Sequence, residues 1–421
     1  MPPPIEPRPI AASERIEAMD VLRGFALLGI LLMNIEAFAG PLVASLDGLN
    51  PTLTGADRIV DAAIYILVQG KFYLLFSLLF GMGFAVMMQR ADARGHRFGA
   101  LYLRRTLALL VIGLIHLLLI WSGDILTVYA LIALPLLVIF RHVPSGQLPY
   151  WAMGLFGLTL LMGAGFSAMG AMAQLDPAVG ALMQEELQKQ ADDMARLMVD
   201  ERAAYGSGTY AQAVWQRVLD AAAMLPYTLL MGGQILAMFV LGSWFVRSGA
   251  IVQRQAWPRL YAALLWVALP LGLGMMLLSF WMVPTVAFDR LDLVSGTAAV
   301  LMLMGSQAMS LGYLAWILRM LDAGARWLRW LAPAGRMALT NYLGQSVVCT
   351  LVFYGYGLGH FEQLPRAWQV PFVFALFALQ VLFSRCWLAR YRYGPAEWVW
   401  RAVTYLRVPA MRISAADGSP Y

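Results

Sequence analysis

Long apolar runs, separated by short polar or basic links, dominate this chain. Ten of them are close to the length at which a helix, rising about 1.5 Å per residue, crosses the ~30 Å hydrocarbon core of a bilayer. The pattern therefore predicts an all-α fold, a polytopic membrane bundle of about ten transmembrane helices. The predicted helices lie at 22–40, 72–89, 106–121, 125–140, 149–172, 225–246, 259–282, 293–318, 337–356 and 367–388.

One stretch interrupts the apolar pattern. Hydropathy collapses over 173–224, where QEELQKQADDMARLMVDERA has the periodicity of an amphipathic helix in water. We expect this insert to separate an N-terminal membrane half (1–172) from a C-terminal membrane half (225–421). The second half ends in an amphipathic tail rich in Trp and Arg, which is typical of a membrane interface.

Composition supports a membrane protein and charge predicts its orientation. Of the 421 residues, 61% are hydrophobic and 13% charged, whereas soluble domains are about half apolar. The net charge of +6 does not indicate nucleic-acid binding, since the arginines flank apolar runs. Alternate links hold 22 of the 30 Lys and Arg residues, so the positive-inside rule predicts cytoplasmic termini and an extracytoplasmic insert. We expect a multi-pass protein of the bacterial inner membrane, with the bilayer as its first partner.

Three polar residues near the outer ends of helices are candidates for chemistry. His116 and Asn34 lie at matching predicted depth, and an imidazole in a membrane bundle can act as a general base while a nearby amide stabilises an oxyanion. Asp124 follows two helical turns after His116 and is predicted to orient it, unless the turn at Ser122 and Gly123 breaks the helix. The alternative is a buried neutral His bonded to a carbonyl and an Asn bonded to a neighbouring helix.

The cytoplasmic ends carry candidates for binding a phosphate-bearing ligand. Asp20 and Arg23 share one face at the mouth of helix 1, where they pair with each other or bind an anion. Arg104, Arg105 and Arg336 lie on the same predicted side, and guanidinium groups bind phosphate well. Positive-inside topology explains these arginines equally simply.

Three further residues complete the predicted binding set. Lys71 is one of only two lysines beside 28 arginines, and it either snorkels to the outer interface or contacts an anionic acceptor. Asn341 and Gln345 form an inward polar stripe that binds substrate or joins two helices. The two cysteines, Cys349 and Cys386, fall inside predicted helices, so the sequence predicts no disulfide framework and no metal site.

Several stretches resemble a known family. RIEAMDVLRGFALLGILLMNI, GKFYLLFSLLFGMGFA, IGLIHLLLIWSGDILTVYAL, GRMALTNYLGQSVVCTLVFYGYGLG and RYGPAEWVWRAVTY are similar to the YeiB-like bacterial inner-membrane family, which carries a domain of unknown function, DUF418. The first stretch also resembles, more distantly, heparan-α-glucosaminide N-acetyltransferase and the transmembrane acyltransferase superfamily. By that resemblance Asp20, Arg23, Gly24 and Asn34 occupy an entry motif that leads to a membrane Asn.

The resemblance implies acyl transfer, with one departure. The catalytic His of the heparan enzyme follows its Asn by a short loop, whereas residues 35–69 contain no His here, so His116 has to take that role. We therefore expect an inner-membrane acyltransferase that moves an acyl group from a cytoplasmic acyl-CoA-like donor to an extracytoplasmic glycan or envelope metabolite. The alternatives are a small-molecule permease and a membrane sensor without turnover. The sequence leaves the acceptor and the oligomeric state open.

Overall fold

The computed structural model describes residues 16–46, 48–93, 95, 98–285 and 289–413. Throughout these ranges the regular secondary structure is helical. Eight helices are long and apolar enough to cross a membrane, and two shorter apolar helices occupy the predicted positions of helices 4 and 9. The predicted all-α membrane bundle is confirmed, whereas the number of crossings and the side of the termini stay predictions. Arg15, Arg94, Arg97 and His96 lie outside the described residues.

Among the described residues, the N-terminal half forms six α-helices, two of which continue as π-helical turns. The turn at His116–Ile120 extends the fourth helix, and the turn at Leu136–Phe140 extends the fifth. The six are α1 (Glu17–Ala39), α2 (Gly55–Leu67), α3 (Lys71–Ala93), α4 (Phe98–Ile115), α5 (Leu126–Pro135) and α6 (Leu148–Ala173).

The described parts of the insert and the C-terminal half form ten α-helices. They are α7 (Pro177–Glu201), α8 (Tyr210–Ala223), α9 (Leu225–Arg247), α10 (Pro258–Ala263), α11 (Leu269–Met282), α12 (Leu293–Asp322), α13 (Ala332–Arg336), α14 (Ala338–Phe353), α15 (Arg366–Leu388) and α16 (Pro395–Tyr405).

Two predicted links are largely helical. The loop expected at 41–71 contains α2, an amphipathic helix that buries Asp61, Ile64 and Tyr65. The basic link expected at 90–105 is mostly the end of α3 and the start of α4. The hydropathy pattern assigned both segments to links because only one face of each is apolar, whereas a membrane span is apolar nearly all round.

The insert forms two helices rather than the single one expected. The carboxylate of Asp176 accepts hydrogen bonds from the first backbone N–H groups of α7, and Thr209 with Gln212 forms a capping box at the start of α8. The insert packs on the end of the bundle where α4 finishes, since Arg217 of α8 donates to the carbonyl of Leu119. It therefore lies at the end opposite the start of α4.

Helix α1 lies at the centre of the bundle, against α3, α13, α14 and α15. Its close contact with α13 depends on glycine, because a Cβ at Gly335 of α13 would collide with the backbone carbonyl of Asp20 in α1. Close backbone approach of this kind is the usual way in which small residues pack membrane helices. Gly81 of α3 likewise lies against the backbone of Phe239.

Candidate functional site

His116 lies at the point where α4 becomes a π-helical turn, and both ring nitrogens are bonded. Nδ1 is 2.8 Å from Oδ1 of Asp124, and Nε2 is 2.8 Å from Oγ of Ser346 in α14. All three side chains are buried, with His116 and Ser346 at 0% exposure. We call Asp124, His116 and Ser346 the His116 triad.

The bonding of the triad is compatible with one particular tautomer of His116. The other carboxylate oxygen of Asp124 accepts from the backbone N–H of Thr127, 2.7 Å away in the first turn of α5, a position that favours negative charge. In a neutral imidazole that donates Nδ1–H to this carboxylate, Nε2 is an acceptor. Ser346 then donates its hydroxyl proton to Nε2, which is the arrangement of a general base next to a hydroxyl.

Local sequence explains why Asp124 reaches the histidine. The chain reverses at Trp121, Ser122 and Gly123, and α5 returns so close to α4 that a Cβ on Gly113 would lie 2.6 Å from the backbone nitrogen of Thr127. The π-helical turn, closed by the bond from the Trp121 N–H to the His116 carbonyl, widens the helix at the histidine. Such turns occur often at functional sites.

A cavity of about 280 Å³ runs from one end of the bundle to the edge of the triad. Its wide end is formed by the starts of α1 and α4, the end of α3, the region before α14, and α16. Five arginines from these elements line it, and we call this part of the wall the arginine end: Arg23, Arg90, Arg105, Arg336 and Arg401. The middle of the cavity is apolar and includes Leu27, Ile30, Phe80 and Leu109.

The arginine end carries more positive than negative charge. Arg23 pairs with Asp20 at 2.8 Å, which was one of the two interpretations that the sequence left open, and both residues line the cavity. Arg105 stacks over the ring of Trp400 at 3.6 Å, and Nε of Arg336 is buried with no hydrogen-bond partner among the described residues. Guanidinium groups gathered in this way favour an anionic ligand.

Glu397 of α16 is the other carboxylate at the arginine end, and it is already engaged. Its oxygens accept from the backbone N–H groups of Leu339 and Thr340 and from the Thr340 hydroxyl, at 2.7, 3.2 and 2.6 Å. It thereby caps the start of α14. Burial raises the pKa of this carboxyl, against the lowering effect of those hydrogen bonds.

The inner end of the cavity stops beside the triad. Tyr342, Tyr129, Ile125 and Leu126 line that end. The rings of Tyr342 and His116 are 5.1 Å apart between centroids, and Ser346 follows Tyr342 by one turn of α14. The triad residues themselves do not line the cavity, and Tyr342 connects its wall to the His116 ring.

Asn34 continues the cavity-lining stripe of α1 toward the triad. It follows Ile30 by one turn and precedes Phe38 by one turn, and Phe38 packs on Trp121 at 4.0 Å between ring centroids. Because Trp121 lies 6.3 Å from the His116 ring, Asn34 is at a similar height in the bundle. It is half-buried and makes no side-chain hydrogen bond to another described residue. Its predicted part in charge stabilisation stays a prediction.

Four of the predicted binding residues lie away from the cavity wall. Arg104 is half-buried and bonds the carbonyl of Ala100. Lys71 does not snorkel but is fully buried, and its ammonium donates to the carbonyl of Tyr65. Asn341 donates to Ser384, and Gln345 to Gln380, so the polar stripe of α14 joins it to α15. For this stripe the structure shows helix-to-helix bonding, which was one of the two interpretations that the sequence left open.

Sequence reasoning missed Ser346 and the contribution of α16. A single serine in an apolar helix carries no signal of its own, and it lies 230 positions from His116. Arg401 and Trp400 were visible only as part of an interfacial tail. Glu36 of α1 pairs with Arg366 at 2.8 Å, and the same guanidinium also bonds Asp61.

A second buried polar cluster lies on the insert side of the triad. Glu201 and Asp220 lie next to each other, and the hydroxyl of Tyr205 donates to Asp220 and lies 3.5 Å from that of Ser122. Burial first and the Asp220 charge second raise the pKa of Glu201 to about 9. Burial likewise raises the pKa of Asp220.

Comparison with known proteins shows the family. A family profile described as protein of unknown function (DUF418) matches residues 245–407. Uncharacterized protein YxaH of Bacillus subtilis is 33% identical over 414 residues, covering 95% of this chain and 96% of that protein. Uncharacterized protein YeiB of Escherichia coli is 32% identical over 420 residues, covering 95% and 99%. The chain belongs to the YeiB-like DUF418 family. No solved structure matches it.

In this YeiB-like protein the candidate site joins both halves of the chain. The DUF418 match includes Arg336, Tyr342 and Ser346, whereas His116 and Asp124 precede it. Similarity to the two relatives extends over 95% of the chain and so spans both parts. The site therefore depends on the whole chain rather than on the DUF418 region alone.

Proposed function

We propose that this YeiB-like protein is an inner-membrane acyltransferase that takes an acyl group from an acyl-CoA-like donor. The observation that carries the proposal is the His116 triad at the inner end of a cavity whose other end is lined by arginines. Acyl transfer requires a base next to a hydroxyl, and His116 and Ser346 are such a pair.

The shape of the cavity suits a donor with an anionic head and an apolar tail. The arginine end binds the phosphates of the donor, and the apolar middle holds the acyl chain. The predicted topology puts this end in the cytoplasm, where CoA thioesters are made available. An acceptor with a free hydroxyl or amine, on a glycan or envelope metabolite, approaches from the insert side.

His116 acts as the general base in this scheme. Its Nε2, which is bonded to the Ser346 hydroxyl in this structure, removes the proton from the attacking hydroxyl or amine, while Asp124 holds the ring in the required tautomer and stabilises the imidazolium that forms. The proton then passes to the departing thiolate. Every proton is accounted for within the donor, the acceptor and the imidazole.

The test is a comparison of His116→Gln with wild type in purified, reconstituted protein. Acetyl-CoA and palmitoyl-CoA serve as donors, with a bacterial envelope extract as acceptor. Loss of a general base typically costs about 10² to 10⁴ in rate, so His116→Gln should lose acyl transfer while eluting as the same folded species.

His142→Gln is the matched control, because that histidine is exposed in a loop. It should keep wild-type activity. Full activity of His116→Gln would remove the histidine from the chemistry, and absence of transfer by the wild type with both donors would overturn the acyltransferase proposal in favour of a permease or a sensor.

A further inference from the structure

The hydroxyl of Ser346 lies closer to His116 than to the backbone of its own helix. A helical serine can donate to the carbonyl four residues earlier. For Ser346 that carbonyl, of Tyr342, is 3.4 Å away, whereas Nε2 of His116 is 2.8 Å away. The imidazole is therefore the nearer of the two partners of the hydroxyl.

From this geometry we infer that Ser346 is the nucleophile, and that acyl transfer proceeds through an acyl-enzyme ester on its Oγ. The inference rests on the proposed function and adds to it the residue that carries the acyl group. In an alternative without covalent chemistry, the base would act directly on the acceptor and Ser346 would only orient the ring.

The two half-reactions balance. In the first, Oγ of Ser346 attacks the thioester carbonyl of the donor and His116 takes the hydroxyl proton; the carbon–sulfur bond breaks, and the leaving thiolate takes that proton from the imidazolium. In the second, the acceptor hydroxyl or amine attacks the serine ester, and His116 takes its proton and returns it to Oγ. The imidazole and the serine are regenerated, and no oxidant or further reactant is needed.

The arrangement of the two ends of the bundle favours such a two-step route. The cavity that suits the donor opens at the arginine end, whereas the insert covers the opposite end, where Arg217 and Tyr210 both donate to the carbonyl of Leu119. An ester on Ser346, between these ends, lets the donor leave before an acceptor arrives. Donor and acceptor then need never occupy the bundle together.

The experiment uses the full-length reconstituted protein with radiolabelled acetyl-CoA or palmitoyl-CoA and no acceptor. After acid quenching, we expect label on a peptide that contains Ser346, with a burst of free thiol close to one equivalent per chain. Ser346→Ala should lose both the burst and the label, and its transfer rate should fall about 10³-fold or more.

Two variants separate a nucleophile from a positioning residue. Ser346→Cys keeps a nucleophile, so it should still be labelled, and its thioester should be released by neutral hydroxylamine, unlike the serine ester. Ser310→Ala is the matched control, because Ser310 is equally buried but its hydroxyl has no partner among the described residues. It should be labelled as the wild type is.

The outcomes keep the two proposals apart. Suppose that the wild type transfers acyl groups without a burst or a label, and that Ser346→Ala keeps full activity. This result would overturn the covalent route and leave the acyltransferase proposal standing. Absence of both label and transfer in the wild type would overturn both proposals.

Discussion

His116 is held by two partners of very different origin. Helical spacing suggested Asp124 as a partner, but the helix ends at Ile120 and the contact forms across the chain reversal at Trp121, Ser122 and Gly123. Ser346 lies in a helix of the other half and becomes a neighbour only through tertiary packing. The sequence could therefore indicate His116 and Asp124. It could not indicate Ser346, whose hydroxyl bonds the other side of the imidazole ring.

Glu201 provides a residue-scale prediction on pH. Its pKa is raised by burial to about 9 in the folded protein, against an ordinary value of 4.5. The folded state therefore binds this proton more tightly than the unfolded state does. The stabilisation is fully present below pH 4.5, and it is lost as pH rises toward 9. The thermal midpoint in detergent should accordingly fall between pH 5 and pH 9.

Glu201→Gln tests the source of that pH dependence. The amide imitates the protonated acid, so the variant should lose part of the fall in thermal midpoint and be more stable than wild type at pH 9. Glu185→Gln is the control, since Glu185 is exposed on the same helix. A pH dependence in Glu201→Gln as steep as in the wild type would show that another group is responsible.

At the scale of elements, α4 and α5 pack closely beside the triad. A methyl group on Gly113 would lie 2.6 Å from the nitrogen and 2.7 Å from the hydroxyl of Thr127, so α5 would have to move. Because Asp124 is anchored by that same nitrogen, Gly113→Ala should separate it from His116. We expect a loss of about 1 to 3 kcal/mol in stability and a larger relative loss of acyl transfer.

Gly154→Ala is the paired control, measured by thermal unfolding and by transfer rate. Nothing lies within 4 Å of a Cβ added there, in α6. Alanine favours a helix over glycine by about 1 kcal/mol, so this variant should be unchanged or more stable. Equal effects of the two substitutions would contradict the packing explanation.

The helix boundaries show which parts of the fold can be predicted from hydropathy. Spans that are apolar on all sides, such as α6 and α9, were located to within about two residues. The amphipathic helix α2 and the start of α4 were assigned to links, because their polar faces lower the local hydropathy. Tertiary contacts, rather than average polarity, decide that such segments are helical.

At the scale of the molecule, the first and last of the described helices, α1 and α16, meet at one cavity. Ile16, just before α1, and Tyr405, at the end of α16, both line it. The insert packs at the far end of α4. The arrangement gives the protein two chemically different ends, one cationic around a cavity and one covered by an acidic insert.

One measurement tests this arrangement most directly. Inside-out vesicles from bacteria that produce the protein expose the predicted cytoplasmic side and enclose envelope acceptors. They are supplied with acetyl-CoA that carries one isotope in the acetyl group and another in CoA. If the protein transfers acyl groups across the bundle, the acetyl isotope accumulates inside while the CoA isotope stays outside as free CoA, and His116→Gln vesicles show neither change. Entry of both isotopes together in a fixed ratio would contradict the account and identify a permease.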